Sequence, residues 1–235
     1  MQFQISDFAL FPTRLLAVHF AGVEETNAQL YDLFDKGEQF RDGFDMHPDS
    51  LNLLSLAGAV PAIARLREML LEGLRQWLLA EGVRGPLGAD MVLFSNFASR
   101  GDFTLVHNHN ADLVGIYYVK TADYAALGAE RPQTPGAPVI ALPDPDGDYD
   151  YFAAEDGALI LHDPRFNANL AAVRARDYAK VFPRPGLLLV FPGFLWHSVT
   201  PHLGDFRRLA LSANFTLRWP GGPKAETWEV FPPAR

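Results

Sequence analysis

Between residues 89 and 219 the chain is a succession of short β-rich runs broken by Gly, Pro, Asp and Asn. The runs are MVLFSNF (91–97), FTLVHNH (103–109), LVGIYYVK (113–120), ALILHD (158–163), GLLLVF (186–191) and RRLALSANFTLRW (207–219). Many short strands with turn signals between them predict a β-sandwich or a barrel. This texture limits the fold more than any other feature of the chain, because each run can bury an apolar face only against the others.

The first 88 residues read differently. FALFPTRLLAVHF (8–20) is rich in Phe, Leu and Val and is expected as a first strand. GVEETNAQLYDLF (22–34) places Leu30, Leu33 and Phe34 at helical spacing, with carboxylates early, where the positive end of a helix dipole favours them. Residues 36–60 mix polar and small residues and read as a loop. PAIARLREMLLEGLRQWLLAEG (61–82) is the clearest helix: Pro61 suits its first turn, and Gly82 suits its stop. Ile63, Leu66, Leu70, Leu74, Trp77 and Leu78 form one apolar stripe, which is core and carries no chemistry. The expected organisation is one domain over 1–235, with 1–88 as a strand and helical support and 89–219 as the β core. ERPQTPGAPVIALPDPDGDYD (130–150) reads as a long surface loop. The stretch 121–155 is expected to border a substrate pocket.

Composition removes whole classes of function. At 49% apolar residues the chain can fill a core. Its net charge of −8 opposes binding to nucleic acid or to an anionic membrane, which need a basic surface. It has no cysteine. Disulfides, thiolate metal sites and Cys nucleophiles are therefore excluded, and any metal must be held by His, Asp, Glu or backbone oxygen. The N-terminus lacks a basic stretch followed by an apolar run, so a soluble, cytoplasmic protein is expected.

Two stretches carry candidate chemistry. In LVHNHNADLVGIYYVK (105–120), His107 and His109 stand two residues apart, and strand periodicity puts both on one face, with Asn108, Asn110 and Asp112 on the other. Such a pair is either a polar strand end or two ligands of a metal. In PGLLLVFPGFLWHSVTPHLGDFRRLALSANF (185–215), a third histidine, His197, follows a turn at Pro192–Gly193. On the last strand Arg208, Ala210, Ser212 and Asn214 share one face; Arg207, Leu209, Leu211 and Ala213 share the other. An inward Arg and Ser can grip a carboxylate, since the guanidinium offers a fork of donors and the hydroxyl adds another. Arg207 reads as a solvent-facing charge, and Arg165 as either a substrate contact or a buried ion pair. His19, His47 and His162 have no partner pattern and read as structural; His202 reads as a turn histidine.

A strand with H-x-H, a distal His in HSV-x-P, and an Arg shortly after it on a strand of alternating small residues resembles the non-haem iron(II) and 2-oxoglutarate-dependent oxygenases. Within that superfamily the chain is similar to bacterial oxygenases of unknown substrate. The matching pieces are LFPTRLL (10–16), SNFASRGDFTLVHNHNADLVGIYYV (95–119), GALILHDPR (157–165) and LLLVFPGFLWHSVTPHLGDFRRLALSANF (187–215), in that order. The resemblance implies a double-stranded β-helix, mostly β, with the N-terminal helices packed on one sheet. It implies iron(II) as the metal and 2-oxoglutarate as cosubstrate, with dioxygen and a small-molecule or peptide substrate; an oligomer is compatible with it. The usual site has two His and one carboxylate, but His109 occupies the carboxylate position. The expected ligands are therefore His107, His109 and His197. The resemblance assigns the distal carboxylate of 2-oxoglutarate to Arg208, with Ser212 assisting; Asn96 and Tyr118 are further candidates for the cosubstrate, and only one of Tyr117 and Tyr118 can face inward. Two alternatives share the barrel: a cupin-like metal dioxygenase or isomerase that ignores 2-oxoglutarate, and a non-catalytic barrel that binds a metal or a small acid.

Overall fold

The structure is a computed structural model that describes residues 13–36, 53–123, 139–141, 156–165, 178–219 and 227–231. Two helices, α1 (Glu24–Lys36) and α2 (Pro61–Ala80), precede the main β region. The strands are β1 (Leu16–His19), β2 (Leu87–Ala98), β3 (Thr104–His107), β4 (Leu113–Lys120), β5 (Val139–Ala141), β6 (Leu159–His162), β7 (Tyr178–Phe182), β8 (Leu187–Pro192), β9 (His197–Val199), β10 (Arg208–Arg218) and β11 (Thr227–Phe231). They form a six-stranded sheet in the order β1-β8-β4-β10-β2-β11 and a five-stranded sheet in the order β3-β9-β6-β7-β5. All the pairings are antiparallel. This is the double-stranded β-helix that the resemblance implies.

Strand periodicity gives the six-stranded sheet two apolar faces. One face carries Leu209, Leu211, Ala213 and Phe215 of β10 and Leu188 and Val190 of β8, packed with Leu30 and Phe34 of α1 and Ile63, Leu66, Leu70 and Leu74 of α2. The predicted stripe of α2 is therefore core, and each fully buried side chain of this size contributes about 1.5–3 kcal/mol. The other face looks into the barrel. There Val114, Ile116 and Tyr118 of β4, Leu187, Leu189 and Phe191 of β8, and Ala210 of β10 meet Leu159, Leu161 and Val181 of the second sheet. Both helices thus support one sheet from outside and leave the barrel interior to the site.

Several elements depart from the sequence reading. The run expected over 103–109 ends early: β3 stops at His107, and the chain turns at 108–112 before β4. A 3-10 turn at Leu53–Leu56 lies within the segment expected as loop and buries Leu53 and Leu54. Val139–Ala141 pairs with β7 inside the Pro- and Asp-rich segment. The rest of that segment, 124–138 and 142–155, lies outside the described residues, as does His47. No helix among the described residues is long and apolar enough to cross a membrane.

Candidate active site

Three imidazoles converge where the two sheets approach each other. β3 and β9 pair so that His107 stands directly opposite His197, and their ring centroids lie 4.3 Å apart. His109 arrives differently. β3 has already ended, so strand alternation does not place it. Its N–H donates to the Gly193 carbonyl at 2.9 Å, and the Gly193 N–H donates to the Asp112 carbonyl at 3.0 Å. The approach is so close that a Cβ on Gly193 would lie 2.0 Å from the Ala111 carbonyl oxygen. Glycine is therefore needed at the turn after β8 to seat the loop that carries His109. The ring itself stacks near Phe94 of β2, at 6.1 Å between centroids.

One ligand atom from each of the three histidines lies within 4.8 Å of the others. The Nε2 atoms of His109 and His197 are 3.3 Å apart. Two nitrogens bound at right angles to one cation at about 2.1 Å would be separated by about 3.0 Å, so the observed spacing suits a shared ion. Hydrogen bonds fix the tautomers. His107 Nδ1 lies 2.8 Å from the Leu105 carbonyl, and His197 Nδ1 lies 2.9 Å from the Leu195 carbonyl. A carbonyl only accepts, so each Nδ1 carries the proton and each Nε2 keeps a lone pair for a metal.

The electrostatics agree. Burial pushes His109 down to about 4, with His107 adding to the shift and the Asn214 amide opposing it. Burial pushes His197 down to about 3, against the Leu195 hydrogen bond and together with His107, His109 and His162. Both rings are neutral near pH 7, which is the ligand form. His109 Nδ1 and Asn214 Oδ1 are both buried without a hydrogen bond in good alignment. Asp112 is elsewhere: its Oδ2 accepts the Leu217 N–H at 2.7 Å.

A second feature lies along the same inner face. Arg208, Ala210, Ser212 and Asn214 point into the barrel, opposite Ala98, Asn96, Phe94 and Val92 of β2. Arg208 is only 2% exposed. Its Nε has no hydrogen-bond partner, and among the described residues no carboxylate pairs with it. It lies 5.6 Å over the Tyr118 ring. Tyr118 is fully buried with an unpartnered hydroxyl, and burial pushes its pKa up to about 12, against the attraction of Arg208. Tyr117, its neighbour, points the other way and donates to Asn27 Oδ1 at 2.7 Å. Arg208 lines a cavity of about 370 Å³ with Asn96, Thr104, Gly157, Thr200 and His202. A buried cation and a buried hydroxyl, both short of acceptors, fit the acid end of a small dicarboxylate. Ser212, 6% exposed, shares the face but sits four positions along the strand from Arg208.

The chain matches the family described as "Putative 2OG-Fe(II) oxygenase" over residues 93–214. The chain belongs to this family. The matched stretch runs from β2 to the end of the inward face of β10, and so includes His107, His109, His197, Tyr118, Arg208, Ser212 and Asn214. Among solved structures, the oxygenase is similar to AviO1 from Streptomyces viridochromogenes Tue57, at 16% identity over 91% of this chain and 93% of that one, with a TM-score of 0.51. A prolyl-4-hydroxylase from Pseudomonas putida matches at 16% identity over 87% of this chain and 88% of that one, with a TM-score of 0.44. HygX from Streptomyces hygroscopicus, solved with nickel and 2-oxoglutarate bound, matches at 16% identity over 87% and 82%, with a TM-score of 0.47. At this identity the likeness to AviO1 shows the fold alone. No curated protein matches the chain. The oxygenase uses iron(II) and 2-oxoglutarate, and the three imidazoles offer a donor set that iron accepts.

Arg207 is not a solvent-facing charge: its guanidinium lies 3.5 Å over the Phe97 ring, on the helix side of the sheet. Arg165 does not form a buried ion pair; it forms an exposed local pair with Asp163. His162 meets the Ser198 hydroxyl at 3.2 Å. His202 is 1% exposed and tied on both ring nitrogens, so it is no ordinary turn residue. Gly193 is expected from the sequence only as a turn residue and Asn214 only as a member of the inner face, and Gly157 carries no expectation. The period of two that found Ser212 also put Asn214 on the inner face; the two glycines reveal themselves only through contacts distant in the chain.

Proposed function

We propose that the protein is a 2-oxoglutarate-dependent hydroxylase of a small molecule or peptide, with iron(II) held by His107, His109 and His197. Arg208 holds the distal carboxylate of 2-oxoglutarate, and the Tyr118 hydroxyl adds a hydrogen bond to it. Asn96 and Ser212 line the inner face between and beside them. When bound, iron(II) and 2-oxoglutarate together supply the oxidation: 2-oxoglutarate and dioxygen give succinate and carbon dioxide, and one oxygen atom passes to the substrate.

What the chain supplies is orientation and a dry interior. The carbonyls of Leu105 and Leu195 hold the imidazole planes. The apolar wall of Val114, Ile116, Leu189 and Phe191 keeps water from the buried end of the barrel. Three neutral ligands leave the cation with one more positive charge than a site with a carboxylate, which changes its redox tuning. The single observation that carries this reading is the buried Arg208, paired with no carboxylate among the described residues, in the same barrel as the imidazole cluster. A cupin-like enzyme that ignores 2-oxoglutarate has no use for it.

The test is succinate release from 2-oxoglutarate under oxygen, with iron(II) and ascorbate. The wild type is expected to release succinate slowly even without its substrate. Arg208→Ala should weaken 2-oxoglutarate binding at least about tenfold, because a buried carboxylate loses a charged partner. Unchanged 2-oxoglutarate affinity in that variant overturns the assignment.

A further inference from the structure

Arg208 is held in an unusual way. Its Nε has no hydrogen-bond partner, so the chain does not clamp that part of the guanidinium by polar contacts. Its place follows instead from packing against Tyr118 on one side and Gly157 on another. Gly157 takes φ +64°, and a Cβ there would lie 2.9 Å from Arg208 Cδ and 3.1 Å from Nε. The wall at Gly157 therefore sets where the arginine can lie.

The position of that wall is itself secured by a buried pair. His202 Nδ1 and Asp156 Oδ1 are 2.5 Å apart, and His202 Nε2 is 2.6 Å from the Phe206 carbonyl. Asp156 Oδ1 also accepts the Leu203 N–H at 2.8 Å. The ring packs edge-on to Phe206, at 4.8 Å between centroids. Backbone bonds extend the brace: Gly157 N–H donates to the Pro201 carbonyl, His202 N–H to the Asp102 carbonyl, and Gly101 N–H to the His202 carbonyl. Both residues are nearly inaccessible, at 1% and 7% exposure. A turn that only reversed the chain would need none of this, and His202 lines the same cavity as Arg208.

We infer that His202 and Asp156 are positioning residues for 2-oxoglutarate: they pin the Asp156–Gly157 step against Arg208 and so fix the guanidinium where it meets the distal carboxylate. This rests on the cosubstrate role of Arg208 given above. The pair touches neither the metal ligands nor the reacting atoms. Its loss therefore weakens cosubstrate binding and leaves iron binding intact.

The experiment is calorimetric titration of the anaerobic iron(II) protein with 2-oxoglutarate, paired with the concentration dependence of succinate release. The variants are Asp156→Ala, Asp156→Asn, His202→Gln, Gly157→Ala and Arg208→Ala, each checked for iron content and thermal unfolding. Asp156→Ala and His202→Gln are expected to raise the dissociation constant and the half-saturating concentration about tenfold, with iron content and the rate at saturating 2-oxoglutarate close to wild type. Asp156→Asn keeps an acceptor oxygen and should recover much of the affinity. Gly157→Ala leaves the pair intact and moves the arginine directly, so it should weaken binding in the same way, and it decides the matter should the other variants not fold. Wild-type affinity in a folded Asp156→Ala, His202→Gln or Gly157→Ala protein, beside a weakened Arg208→Ala, overturns this inference alone. Wild-type affinity in Arg208→Ala overturns the cosubstrate reading beneath it.

Discussion

His109 Nε2 and His197 Nε2 face each other at 3.3 Å, from rings parallel to within 1°. The Leu195 carbonyl claims the one proton of neutral His197, so its Nε2 presents a lone pair to the other ring. A cation between them satisfies both nitrogens. Replacing His197 by Ala is therefore expected to abolish stoichiometric iron binding while the two sheets stay assembled. Iron content after anaerobic reconstitution, read beside circular dichroism, checks this. Full iron occupancy in the variant would remove His197 from the ligand set.

The Asn214 side chain lies beside the His109 ring, with its Oδ1 buried on the inner face. Asn214→Leu removes that oxygen from an inward position and leaves the imidazole free to turn. The loss of such an outer partner typically weakens a metal site about 10–100-fold. Competition with a chelator of known iron affinity measures it. An unchanged affinity means that the loop held by Gly193 alone orients the ring.

Tyr118→Phe separates a binding role from a structural one. The hydroxyl is buried without a hydrogen-bond partner among the described residues, and an unmet buried polar group destabilises a fold. The variant should unfold at the same or a higher temperature than wild type, yet bind 2-oxoglutarate several-fold more weakly. A fall in thermal stability with unchanged 2-oxoglutarate binding would make Tyr118 a packing residue.

The depressed histidines give a pH dependence with a definite sign. In the unfolded chain they titrate near 6.5; folded, His109 titrates at about 4 and His197 at about 3. Without metal, the unfolded state then binds more protons below about pH 6.5, and stability falls as the pH falls towards 4. The loss is about 2 kcal/mol for each ring by pH 5. Urea unfolding of the metal-free protein at pH 7 and pH 5 measures it, and a His109→Gln, His197→Gln double variant should lose markedly less. Equal losses in the two proteins would contradict neutral buried rings.

The barrel was legible because β2, β4, β8 and β10 are long enough for a period of two to show which side chains turn inward. Arg208, Ser212 and the inward one of the tyrosine pair all came from that signal. β9 has only three residues and is too short to announce itself, although it carries His197. His109 was paired with His107 by strand alternation, but the strand stops first, and a backbone staple to Gly193 does the placing. The brace behind Arg208 had no local signature at all. Asp156 and His202 are 46 positions apart, and only the folded chain shows that they meet.

The most direct test is X-ray absorption or anaerobic crystallography of the iron(II) protein, reading the ligands around the metal. Three imidazole nitrogens from His107, His109 and His197, at about 2.0–2.2 Å, are the expected result. A carboxylate in place of one ring, or iron bound away from these three histidines, would contradict it.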